Sequence, residues 1–307
     1  LHARGQYDAA TQRYTLTLSQ HTPPSASQPD KHTVPIPVKL ALFDRDGAML
    51  PLHVDGQPHG TEAVVVLDSS ERSFVFEQVA QPPVPSLLRG FSAPVLLECD
   101  YAPAELALLL THDPDGFNRW EAGQQLAARA FDDCRTGGAN ALDAWTGALA
   151  RLFGERSLDA ALLADLLTPP GEIELAERQE TVDPAQIHEL RQTMQRRLGL
   201  AIGPQPLEQR YRELDASGPL VLDAAGKAAR QLKRRVLELL ALVAPETSHA
   251  LATAQFRSAE GMTDRLAALS VLVRNGAEGA AEALAEFRRR HADNPLAMDK
   301  WFAVQAQ

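Results

Sequence analysis

The 307-residue sequence predicts a multidomain β + α protein, an antiparallel β-sandwich followed by an all-α helical solenoid of antiparallel helix pairs. Two observations carry that prediction. Eleven of the 21 prolines lie before Pro103, together with most stretches in which apolar and polar residues alternate. From Pro103 onward the chain is Ala/Leu-rich, and its apolar residues recur at spacings of three and four. The change sets an expected division into a sandwich domain over 1–102 and a helical domain over 103–307.

Leu1–Tyr7 opens as a strand. Tyr14, Leu16 and Leu18 then alternate with Arg13, Thr15, Thr17 and Ser19, the period of a half-buried strand. His21–His32 is Pro/Ser-rich and reads as an exposed loop. Val34, Ile36, Val38, Leu40 and Leu42 form a second alternating set, but Pro35 and Pro37 cannot donate to a ladder. That strand should begin at a sheet edge. The turn dipeptides Asp46-Gly47 and Asp55-Gly56 flank a short Met49–Val54 segment. Glu62–Leu67, Arg72–Val79 and Pro94–Tyr101 complete seven or eight strands in about a hundred residues, the density of an antiparallel sandwich.

In Val221–Val243, Ala225, Ala229, Leu232, Val236, Leu239, Leu240 and Val243 fall on one helical stripe. Leu266, Leu269 and Val273 do the same, with Thr263 where an N-cap belongs. Pro169-Pro170, Gly203-Pro204, Gly218-Pro219, Pro245 and Asn294-Pro295 punctuate the segments, and a last helix starts near Pro295. Ten or eleven helices with short connections imply antiparallel neighbours and a solenoid.

Lys+Arg 30 against Asp+Glu 40 gives a net charge of −10, a field that repels phosphate backbones and anionic lipid. Apolar runs such as Val64–Leu67 and Leu239–Ala244 fall far below the roughly 18 residues of a spanning helix. Neither nucleic acid nor membrane is therefore an expected partner. Cys99 and Cys134 cannot form a disulfide framework and read as reduced, buried thiols. No signal peptide is visible, and a cytoplasmic location is expected. The first residue is Leu1, so the chain reads as a piece of a longer protein.

Chemistry is sparse. No two of the nine histidines stand at i, i+4, the spacing that puts two metal ligands on one helical face. The nearest approach is His188-Glu189, where i+4 is Gln192, so His188 reads as an exposed helix residue. There is no Cys-x-x-Cys, nucleophile elbow, P-loop or dinucleotide turn, and Gly137-Gly138 reads as a break between helices. The basic clusters Arg196-Arg197, Lys233-Arg234-Arg235 and Arg288-Arg289-Arg290 have acidic neighbours and read as solvated helix faces. Trp120, Trp145 and Trp301 read as packing anchors. No catalytic, cofactor-binding or metal-ligating residue is nominated.

Five strings add a family resemblance. Tyr14–Gln20 with Thr22-Pro23 (YTLTLSQxTP) and Pro83–Val95 (PVPSLLRGFSAPV) resemble the third domain of bacterial aminopeptidase N. Phe117–Gln124 (FNRWEAGQ), Gly261–Leu269 (GMTDRLAAL) and Met298–Phe302 (MDKWF) resemble its fourth, helical domain. Their order and spacing agree from end to end. The resemblance implies an immunoglobulin-like sandwich, then a helical solenoid that runs on past MDKWF. It also implies that the parent belongs to the gluzincin zinc metallopeptidases and removes N-terminal residues from peptides. The zinc helix (HExxH with a later Glu), the GxMEN strand and the transition-state tyrosine belong to the family's catalytic domain and have no counterpart here. The chain itself is thus expected to bind no cofactor and to be inactive alone. Its expected partners are the catalytic domain of the same polypeptide and the parent's peptide substrates. It would act as spacer and lid, closing the active-site chamber and limiting peptide access. The alternatives are a free-standing interaction scaffold of the same ancestry and an unrelated hydrolase with dispersed site residues.

Overall fold

The computed structural model describes residues 1–54, 56–215 and 220–306. Asp55 of the second turn dipeptide and the Gly218-Pro219 break lie outside them. The chain forms two compact units, Leu1–Asp133 with Gly138–Ala148, and Cys134–Gly137 with Leu149–Gln307.

The first unit contains nine strands among the described residues: β1 His2–Asp8, β2 Arg13–Ser19, β3 Ile36–Phe43, β4 His53–Val54, β5 Gln57–Pro58, β6 Ala63–Leu67, β7 Glu71–Phe76, β8 Val84–Leu87 and β9 Glu98–Cys99. They make a six-stranded sheet, β5-β4-β7-β2-β1-β9, and a three-stranded sheet, β6-β3-β8. All pairings are antiparallel except β1 with β9. The alternation drives the sandwich: Tyr14, Leu16 and Leu18 face Val38, Leu40 and Leu42 in one buried cluster with Phe74, Phe76, Val65 and Leu67.

Pro37 is accommodated as expected. The first half of β3 pairs only with β6, and β8 joins from Leu40 onward. On the open side, Ser92 Oγ accepts from Lys39 N at 3.0 Å and donates to Pro37 O at 3.1 Å, replacing the missing strand. The donor that proline lacks falls on that same side. His21–His32 is exposed apart from partly buried Lys31, and Gln20 ties down its ends through Val34 N, Val34 O and Ser69 O.

Two strand expectations hold only in part. Met49–Val54 contributes only His53–Val54 as a strand. Pro94–Tyr101 contributes only Glu98–Cys99, and Val84–Leu87 completes the second sheet. All four residues of β8 are buried, so it shows no alternation by which to find it.

The first unit continues past the change in sequence texture. It includes α1 (Pro103–His112), α2 (Gly116–Thr136) up to Asp133, and α3 (Asn140–Gly154) up to Ala148. Pro103 suits the first turn of α1, and Glu105 Oε2 accepts from Ala102 N at 2.7 Å.

The second unit holds α4 (Ala160–Leu166), α5 (Glu172–Ala176), α6 (Pro184–Ile202), α7 (Pro204–Leu214), α8 (Ala224–Val243), α9 (Pro245–Ser258), α10 (Met262–Arg274), α11 (Ala280–His291) and α12 (Pro295–Gln305). Twelve helices therefore stand among the described residues against ten or eleven expected; α4 and α5, of 7 and 5 residues, are short pieces around the Pro169-Pro170 break. Helix α8 is the hub, packed by α4, α6, α7, α9 and α10, with Leu232, Val236, Leu239 and Leu240 fully buried. Gly199 lets α6 approach it: a Cβ there would stand 2.9 Å from Val243 Cγ1 and 3.3 Å from Leu239 O. Asp159, Asp183, Asp223 and Asn294 cap their helices with side-chain oxygens. The Thr263 cap is not observed. Gly261, in extended conformation, precedes α10, and Thr263 lies inside its first turn. No helix is long and apolar enough to cross a membrane among the described residues.

Candidate functional site

The sequence's nearest approach to a zinc motif does not form a zinc site. His188 lies exposed on α6, with Nδ1 2.8 Å from Glu172 Oε1 and Nε2 2.6 Å from Gln192 Nε2. The amide at i+4 is no zinc ligand of the expected set. No group of three or more His, Cys, Asp or Glu that could hold a metal gathers among the described residues. Cys99 and Cys134 are outside any disulfide and only partly buried, not fully as expected. Burial pushes the Cys99 thiol up to about 11, away from reactive thiolate.

The middle basic cluster overturns its sequence reading. Arg196, Arg197 and Arg288–Arg290 are exposed, but Lys233 and Arg235 are buried. Lys233 Nζ pairs with Asp215 at 2.7 Å and Asp264 at 3.3 Å, and lies over the Tyr211 ring. Arg235 donates twice to Leu167 O, at 2.9 and 3.1 Å, and reaches Gln195 at 2.8 Å and Glu238 at 3.2 Å. The Leu167 carbonyl ends α4, so a cation there satisfies a helix terminus. Burial alone would raise the Glu238 carboxyl; Arg235 and then Arg234 outweigh it and hold it below its ordinary value. These groups lock helices together.

A different arrangement stands in the first unit. Arg89, 2% exposed, pairs through Nη1 with fully buried Asp113 at 2.7 Å and through Nε with Glu62 at 2.8 Å. Ser86 Oγ donates to Asp113 Oδ2 at 2.6 Å and accepts from Arg89 and Asn118, at 3.1 and 2.8 Å. Asn118 also donates to Leu87 O at 2.8 Å. Hydrogen bonds from Arg89 and then Lys39 hold the Glu62 carboxyl below its usual range. Arg119 donates to the Thr111 and Asp113 carbonyls at 3.1 and 3.0 Å, closing the end of α1.

This clamp fixes an unusual loop. Leu88, Gly90 and Phe91 all have left-handed backbones, with φ of 59°, 60° and 54°, around a short 3₁₀ turn. Gly90 N donates to Asp115 Oδ2 at 2.8 Å, while Asp115 Oδ1 accepts from Asn118 N at 3.0 Å. The loop and the start of α2 together present an aromatic face. Phe91, Phe117 and Trp120 are 55%, 36% and 38% exposed, with ring centroids 5.2 Å apart for the first pair and 6.4 Å for the second. Trp120 is therefore displayed, unlike fully buried Trp145. Trp301 is partly buried, and its indole N–H donates to Leu284 O at 2.9 Å. No nucleophile–base pair accompanies the face among the interactions described above.

The sequence reading did not nominate these residues. Their signal was present: PVPSLLRGFSAPV and FNRWEAGQ, two of the family strings, supply Ser86–Ser92 and Phe117–Trp120. Only the fold shows that the strings meet.

Residues 103–307 match the family described as a domain of unknown function (DUF3458_C) with ARM repeats, and residues 1–100 match a domain of unknown function (DUF3458) with an Ig-like fold. The chain belongs to the DUF3458_C family. That membership agrees with an Ig-like sandwich followed by a helical repeat region. The DUF3458_C match begins where α1 begins, inside the first compact unit. Among curated relatives, aminopeptidase N of Escherichia coli (strain K12) is 33% identical over 99% of this chain and 35% of its own length. Aminopeptidase N of Caulobacter vibrioides is 36% identical over 83% of this chain and 30% of its own length. The crystal structure of Legionella pneumophila aminopeptidase A in complex with aspartic acid matches 99% of this chain and 35% of that one, with a TM-score of 0.82 and 27% identity. The chain is homologous to bacterial aminopeptidase N and spans about a third of the length of those relatives.

Proposed function

We propose that this chain is a non-catalytic region of a zinc-dependent aminopeptidase N, serving as spacer and lid. In this reading the zinc and the peptide-cleaving groups belong to another part of the polypeptide. The sandwich joins that part to the helical repeats, and the repeats close a chamber that limits access by bulky peptides. Residues 1–102 and 103–307 are its two modules, and its location is the cytoplasm. The observation that supports this most is the match of 99% of the chain to 35% of an aminopeptidase N, in a chain without a zinc donor set among its described residues.

The lid role is tested by mixing the chain with a separately produced catalytic portion. Cleavage of a long or folded substrate should fall relative to that of a dipeptide. Unchanged rates for both, with binding demonstrated, would refute the lid role.

A further inference from the structure

We infer that the aromatic face of Phe91, Phe117 and Trp120 is a docking surface for apolar side chains on the metal-bearing part of the same polypeptide. The inference rests on the function proposed above and names its contact.

The first argument is the backbone. A left-handed conformation costs a non-glycine residue roughly 1–2 kcal/mol, and such residues persist only where their surroundings over-determine them. Leu88 and Phe91 both adopt it, fixed from beneath by the Arg89–Asp113 pair and the Asp115–Gly90 bond. Leu88 is buried by its turn, but Phe91 is held half in solvent. The clamp thus supports exposed apolar surface.

The second argument is charge. Three ionic groups next to the rings in sequence are engaged within the unit: Asp115 by Gly90 and Asn118, Arg119 by two α1 carbonyls, and Glu121 by Gln125. What the rings offer is mainly apolar surface, which suits apolar side chains.

The third argument is area. Three half-exposed aromatic rings present on the order of 300 Å². A stable dimer needs about 800 Å² from each partner, so this face alone is too small to hold a second copy. A segment of the same polypeptide arrives at high effective concentration, and a small patch then suffices. The aminopeptidase N relatives supply ample surface, since about two thirds of their length lies outside the match.

Hydroxyl-radical footprinting read by mass spectrometry tests this in the 307-residue chain and in the longer polypeptide that includes it. Phe91, Phe117 and Trp120 should be oxidised several-fold more slowly in the longer polypeptide, while Leu96, 88% exposed here, serves as reference. An active zinc peptidase whose three rings react as fast as in the short chain would overturn the docking inference and leave the proposed function standing. A longer product without zinc peptidase activity would overturn both. Protection that appears in the short chain alone as its concentration rises would assign the face to a second copy and overturn the inference.

Discussion

The two compact units bury cations for different ends. In the first, Arg89 meets a carboxylate, Asp113, that has no exposure at all. The pair fixes a strained loop that pushes apolar surface outward. In the second, Arg235 is aimed chiefly at a backbone carbonyl, Leu167, and its carboxylate partner Glu238 keeps 15% exposure. There the buried charge closes a helix end and holds α4, α6 and α8 in place. The contrast separates polarity that displays a surface from polarity that only packs.

The largest expected effect breaks the first of these. Arg89→Met leaves the buried Asp113 carboxyl without its cation, which should cost about 3–5 kcal/mol in urea unfolding. Asp113→Asn in the same background should recover part of the loss; no recovery would mean that the charge pair is not the cause. Arg235→Met should cost less, about 2–3 kcal/mol, because the orphaned group is a neutral carbonyl and Glu238 retains Arg234. A larger loss from Arg235→Met than from Arg89→Met would reverse the contrast.

Legibility in the sequence follows the same division. Regular burial left a periodic trace, so Tyr14, Leu16 and Leu18 marked their strand and Leu232, Val236 and Leu239 their helix. Val84–Leu87 left none, because a strand buried on both faces does not alternate. Lys233 and Arg235 misled for a related reason: a basic run on a helix looks solvated until carbonyls and carboxylates from distant segments are known. The aromatic face was hidden by the same kind of distance. Phe91 and Phe117 lie far apart in sequence, and nothing local says that their rings touch.

Acid should sharpen the comparison further. Glu62, with an ordinary value of 4.5, is depressed in the fold first by Arg89 and then by Lys39. A depressed carboxylate stabilises fully above its unfolded value and loses that contribution as pH falls through the folded one. The urea midpoint should therefore drop below pH 4.5, and less steeply in Arg89→Met than in the parent. Equal slopes would show that Arg89 does not set the Glu62 titration.

The smallest effect belongs to the displayed ring. Phe91→Gly relieves roughly 1 kcal/mol of left-handed strain. It also gives up about 1 kcal/mol from the buried half of the side chain. The midpoint should stay within about 1 kcal/mol of the parent, as expected for a residue placed for contact and not for stability. A loss comparable to that of Arg89→Met would make the face part of the core.

The central claim of the proposed function is that the zinc and peptide-cleaving groups lie outside this chain. The decisive measurement incubates the purified chain with excess zinc, dialyses it, and then reads its metal content by elemental analysis beside its hydrolysis of aminoacyl substrates. The account predicts far less than one equivalent of zinc and no hydrolysis above the buffer rate. One retained equivalent with turnover of an aminoacyl substrate would contradict it.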